Sequence, residues 1–192
     1  MTKSTPRIPG LDVPFSVRAR NEPKIGRFLI REANEADYRY LKAWKARPEH
    51  EGADTLTFIR ESHARGDVRL YLMEQITASD DHHRLNASES REPAGVTGLN
   101  ERFLQYVFVP RAPIDFRRAW PLADAMLAVL IQHHFATHPS LCLSDPTPKG
   151  THLAKRLGWA TPANGSEITR ENWLREAAPR IAEACFDHRP FG

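Results

Sequence analysis

Cysteine is nearly absent from the chain: Cys142 and Cys185 are the only two in 192 residues. A chain of this length can build a full core without a cross-link, so both are read as reduced thiols and no disulfide framework is expected. Long apolar runs are missing too. Nothing approaches the roughly 18–20 residues of a membrane-spanning helix. The opening stretch, MTKSTPRIPGLDVPFSVRARNEPK, has no apolar segment like that of a secretory leader. The expectation is a cytoplasmic protein with no membrane association. A strong charge of one sign is also lacking. Lys and Arg number 27 against 24 Asp and Glu, a net +3, and the basic residues are scattered rather than stacked in a stripe. Nucleic acid is therefore not an expected partner. No GxSxG elbow, P-loop or GxGxxG occurs, which removes the sequence basis for the chemistries those motifs serve.

What is present is the make-up of one ordinary globular domain, 41% hydrophobic and 27% charged. Residues 1–24 are rich in Pro and Arg without periodicity, and are expected to be a disordered arm. RFLIREA then reads as a strand. Asn34 is suited to cap a helix over EADYRYLKAWKAR, with Glu35 and Asp37 in its first turn, and Pro48 stops it. A second helix is expected over DTLTFIRESHARG, closed by Gly66. Val68, Leu70 and Leu72 alternate with Arg69, Tyr71 and Met73, a strand period. TASDDHHRLNASESREP reads as a loop, and AGVTGL and FLQYVFV as two strands joined by Asn-Glu-Arg.

A helix nearly apolar all round follows from about Pro121 to Ala136, which calls for burial against a sheet. SLCLS is a short buried strand, GTHLAKRLG a helix closed by Gly158, and WAT a further strand start. Ser166 or Thr169 caps a last helix that Pro179 interrupts or kinks. The fold class is α/β (α+β), a mixed central β-sheet flanked by helices with one βαβ crossover. The expected organisation is the arm, a domain over 25–165 and a C-terminal helical extension over 166–192.

This succession of elements, with IREANEADYRYLKAW at its start and LAKRLGW near its end, resembles the GNAT superfamily of acyl-CoA-dependent N-acyltransferases over residues 26 to 161. In LAKRLGW the likeness rests on Leu157, Gly158 and Trp159. The resemblance implies a GNAT-like sheet, an acyl-CoA co-substrate (acetyl-CoA by default) and an amine acceptor, either a small molecule or a protein. In that family a loop after the fourth strand, patterned Gln/Arg-x-x-Gly-x-Gly/Ala, holds the pyrophosphate of coenzyme A on backbone amides. Unpaired N–H groups and the positive end of a helix dipole suit an anion. The match here is RAWPLA. By resemblance Arg117, Arg118, Ala119, Trp120, Leu122 and Ala123 line the cofactor, and backbone amides at Phe108 and Val109 meet the thioester.

Two positions depart from the family pattern. Pro121 stands where the first Gly belongs and removes a donor, a loss that Arg117 and Arg118 can offset with charge-assisted bonds. Ala154 stands where many members carry a Tyr that protonates the leaving thiolate, and a methyl group cannot do so. His152 is the nearby candidate acid. Glu101 and Glu74 are the candidate bases, acids near strand ends. His134 and His138, four apart on one helix, and Asp80 to His83 in a loop are weighed as metal ligands, and no metal is expected. Two readings stay open: an N-acyltransferase, and a GNAT-like fold without transfer activity that binds a partner or ligand. A monomer or a homodimer is expected.

Overall fold

Period-two patterning sets the architecture. A computed structural model describes residues 7–19, 22–40, 60–78, 89–108, 116–143, 148–158 and 166–186. Within these, seven strands form one sheet whose spatial order is the chain order. They are β1 (Phe15–Ala19), β2 (Glu22–Glu32), β3 (Arg69–Ala78), β4 (Glu89–Leu99), β5 (Phe103–Phe108), β6 (Ser140–Leu143) and β7 (Ser166–Thr169). Neighbours are antiparallel except β5 and β6, which are parallel and therefore need a crossover. Helix α1 (Phe116–His134) supplies it. Helix α2 (Pro148–Arg156) follows β6, and α3 (residues 170–185) closes the described chain. Among the described residues, no helix is long and apolar enough to cross a membrane.

The alternation divides the sheet into two unlike faces. Phe28, Ile30, Tyr71 and Met73 point to one face and join α1, α2 and α3 in the main core. Thr97 on β4 donates its hydroxyl to the Met126 sulfur of α1 at 3.4 Å, inside that core. Leu70, Leu72 and Val96 point to the other face, in a small cluster with Ala33, Tyr38 and Tyr40.

Several sequence expectations hold. Asn34 forms a capping box: its side chain accepts from the Ala36 N–H at 2.9 Å, and the Asp37 carboxylate accepts from the Asn34 N–H at 2.9 Å. Gly66 and Gly158 both take positive φ, 79° and 87°. Glycine alone is unstrained there. Both thiols are free. The rest of the first expected helix, with Leu41 and Trp44, lies outside the described residues. So do Leu56, Ile59, Asp80 to His83, Val109 and Trp159.

Others are corrected. The expected arm contributes β1, which pairs with β2 and buries Phe15 and Val17, because two alternating apolar residues suffice for an edge strand once a core exists. The expected loop over 77–93 is shorter, since Ala78 pairs with Glu89 and Thr77 with Ser90. The expected strand start WAT, residues 159–161, lies outside the described residues; a strand not expected from the sequence, β7, pairs antiparallel with β6, and Thr169 caps α3 as expected by accepting from the Asn172 N–H. The expected extension is part of the core: Trp173, Ala177, Ile181 and Phe186 are buried, and Phe186 bridges to Val17 of β1. Next to Pro179 the α-helical pattern of α3 is interrupted, as expected, but the chain does not leave the helix, and the α-helical segment Ala178–Cys185 carries the proline in its first turn. A π-helical turn over Trp173–Ala177 precedes it, with the Ala178 N–H bonded to the Trp173 carbonyl, so the helix continues past the missing donor.

Candidate active site

Strand direction gives the sheet two ends. At the exit end β5 finishes and α1 begins; at the turn end β4 passes into β5 and α1 finishes. The register pairs β5 with β6 at Phe103↔Cys142 and Leu104↔Leu143, while β5 runs on to Phe108 alongside β4 as far as Val96. Among the described residues, the β6 side of β5 is therefore unpaired from Gln105 onward.

Helix α1 starts five residues earlier than Pro121, so RAWPLA is helix rather than loop. Pro121 sits in the second turn and cannot donate to the Arg117 carbonyl. Leu122 is fully buried and Ala123 nearly so, both in the main core, and their amides belong to the helical ladder. The amides free to meet an anion are those of the first turn, which opens Phe116-Arg117-Arg118-Ala119 and contains no acidic residue. Trp120 follows in the same helix.

Glu74 lies at the exit end as well. Leu72, Val96 and Phe108 form one row across β3, β4 and β5, and Glu74 is two residues further toward that end, on the face away from α1. A bulge between Met73 and Glu74 shifts the register so that Glu74 faces Pro93. Its carboxylate is buried. Arg31 holds Oε1 at 2.8 Å and forks onto both oxygens of Asp37 at 2.8 and 2.9 Å. That fork keeps Asp37 below, and Arg31 above, their ordinary pKa values through the hydrogen bonds between them. Glu74 Oε2 has no hydrogen-bond partner among the described residues and lies 3.9 Å from the Arg91 guanidinium. Two strand spacings separate β3 from β5, about 10 Å, so contact with a group bound on β5 runs through water or the far part of an acceptor.

Glu101 is not brought to this place. It is exposed in the β4–β5 turn. At the rise of an extended strand, that is about 20 Å from Phe108. There it lines an open groove of about 610 Å³ with Arg69, Tyr71, Arg102, His133 and His138. His134, at the back of the groove, is buried, shares a hydrogen bond at 3.0 Å with the Ser140 carbonyl and stacks on His138 at 4.3 Å between centroids. Burial lowers its pKa. His152 is exposed on α2, and Ala154 is buried in the main core.

The sequence reading misses Asp124. It stands on α1, pairs with Arg156 of α2 and has its pKa raised by burial against the opposing pull of that partner. An acid inside an otherwise apolar helix is the signal that could have found it.

No protein-family model matches the sequence, and no curated protein matches it. Solved structures do match. An uncharacterized protein from Bacillus halodurans is 11% identical with a TM-score of 0.54, over 91% of this chain and 99% of that one. A chimera of the spermidine N-acetyltransferase SpeG from Vibrio cholerae and hSSAT is 11% identical with a TM-score of 0.50, over 78% of this chain and 99% of the other. The fold is GNAT-type: among the described residues, the seven-stranded sheet, its single parallel pair and the crossover helix agree with it.

Proposed function

We propose that the chain is an acyl-CoA-dependent N-acyltransferase, with acetyl-CoA as donor and a small-molecule or protein amine as acceptor. One observation carries the reading. Helix α1 opens on two adjacent arginines, with no acid in its first turn, and follows β5, whose β6 side has no partner among the described residues from Gln105 onward. Cations at a helix N-terminus work against the helix's own dipole by about 0.3–1 kcal/mol each, and a bound diphosphate reverses that sign. Free amides of the first turn and Arg117 and Arg118 would hold the pyrophosphate, and the open edge of β5 up to Phe108 would accept the pantetheine arm and thioester.

In this reading the amine nitrogen attacks the thioester carbon, the C–N bond forms and the C–S bond breaks. Backbone N–H groups near Phe108 and Val109 stabilise the oxyanion between those events. Glu74, one of whose oxygens accepts no hydrogen bond among the described residues, takes the amine's proton through water. With Ala154 buried, the thiolate takes its proton from His152 or from solvent. Polyamines are the first acceptors to try, since the chimera in the comparison derives from a spermidine N-acetyltransferase. The buried methyl of Ala154 favours the second reading, a GNAT-type fold that binds a ligand or partner without transferring an acyl group.

Calorimetric titration with acetyl-CoA and with desulfo-CoA tests the first reading. Micromolar binding of both supports it and leads to an acceptor screen. Neither heat nor a thermal shift at millimolar cofactor would sink it and leave the binding-protein reading, to be pursued by pull-down.

A further inference from the structure

Arg31 and Glu74 are diagonal neighbours on β2 and β3, since the register sets Arg31 opposite Leu72 and Leu29 opposite Glu74. Residues so placed stand about 7–8 Å apart, within reach of an arginine. Asp37 decides how Arg31 makes that reach. Its carboxylate is fixed from its own turn by the Asn34 N–H at 2.9 Å, and it takes one bond from each terminal nitrogen of Arg31, at 2.8 and 2.9 Å. Such a fork fixes the plane of the guanidinium. One of the two nitrogens also donates to the Glu32 carbonyl at 3.2 Å, and the other to Glu74 Oε1 at 2.8 Å. The four N–H groups on these nitrogens are then all engaged, and none is left for the second oxygen of Glu74.

That second oxygen is the exception in the cluster. The Glu74 side chain is 7% exposed, yet Oε2 accepts no hydrogen bond among the described residues. A buried carboxylate oxygen without a donor costs stability. Arg91 stands 3.9 Å from it, beyond hydrogen-bond distance, on a side chain that is 47% exposed. Released from Arg31, Glu74 would gain by turning to close that gap, and Oε2 would then be occupied. The backbone adds to the arrangement. The bulge in β3 falls at Glu74, and bulges re-aim side chains.

We propose that Arg31 is the positioning residue for Glu74: by holding Oε1 it keeps Oε2 available to the water that carries the acceptor amine's proton. The proton passes from the amine nitrogen to that water, and from the water to Oε2. Arg31 gives up none of its own protons. The role rests on the acyl-CoA reading and on Glu74 as its base.

The test follows thiol release from acetyl-CoA with spermidine and, separately, with a lysine-containing peptide as acceptor. Wild type, Arg31→Gln, Glu74→Gln and the double variant are compared, each folded by circular dichroism. Arg31→Gln is expected to lower kcat about tenfold, with the KM for acetyl-CoA unchanged. On the Glu74→Gln background the same change is expected to cost less than about twofold, because the carboxylate it acts through is gone. A merely structural arginine would cost the same factor on both backgrounds, and that result overturns the proposal. So does a wild-type kcat in folded Arg31→Gln. Should Arg31→Gln fail to fold, Arg31→Lys, which keeps the charge and loses the fork, decides by the same comparison. A Glu74→Gln protein as active as wild type overturns the proposal and leaves the transferase reading standing. No transfer by wild type to either amine removes that reading for these acceptors, and the role of Arg31 with it.

Discussion

The two ends of α1 treat charge in opposite ways. At the turn end, His133 and His134 occupy the last turn, where the helix dipole favours positive charge, and Trp173 of α3 packs across with its indole N–H donating to Gln132 at 2.9 Å. The indole hydrogen bond and the His134–Ser140 hydrogen bond there serve the helix, while buried His134 stays neutral and gains nothing from the dipole. At the exit end Arg117 and Arg118 occupy the first turn, where positive charge is unfavourable, and Pro121 withholds a hydrogen bond. The end that is less well arranged for the helix is the one where β5, among the described residues, lacks a β6 partner from Gln105 onward. A departure from local stability at one end, with local rules obeyed at the other, is the pattern that functional sites leave.

The largest expected effect tests the turn end. Trp173→Ala should cost about 3–5 kcal/mol of stability, the range for a deleted buried aromatic, measured by urea denaturation. Its folded fraction should bind coenzyme A as wild type does; a changed Kd would mean that the two ends are coupled. Next, Arg118→Ala should weaken coenzyme A binding by about 1–3 kcal/mol and leave apo stability unchanged or raised by about 0.3–1 kcal/mol. Loss of stability with unaltered affinity would reverse the assignment of that end.

A smaller effect concerns pH. Burial holds His134 neutral in the folded chain at pH values where an unfolded imidazole, with its ordinary value of 6.5, has bound a proton. The unfolded state therefore takes up more protons as pH falls. Stability from this group is complete above about pH 6.5 and declines below it. Denaturation midpoints from pH 8 to 5 should show that slope, and His134→Gln should flatten it. The smallest effect separates the carboxylates: Glu101→Gln should leave acyl transfer unchanged while Glu74→Gln lowers it, and equal losses would reject the placement of the site at the exit end.

Much of this is legible in the residues themselves. Asn34 with Asp37 reads as a cap because the interaction spans three residues, and Gly66 and Gly158 read as helix stops because tolerance of positive φ is a property of the residue. Val68 to Met73 and Phe103 to Phe108 read as strands from alternation. The misreadings share a cause. Pro121 is expected near the start of its helix because proline is least costly in the first turn; packing of Leu122, Ala125 and Met126 in the main core outweighs the missing bond. Strands β1 and β7 escape a sequence reading because five and four residues carry too little pattern to be seen without the neighbours that complete them.

Local conformation, the crossover helix and the arginines at the expected phosphate-binding turn all follow from the order of residues. Each depends on interactions within a few positions along the chain. Only the assembled sheet and helices bring Glu74 rather than Glu101 to the end where Phe108 lies, fold the C-terminal segment into the core, and set Asp124 against Arg156. Those outcomes depend on strand order and register. They join groups far apart in the chain through the burial of whole faces, which no short stretch of sequence encodes.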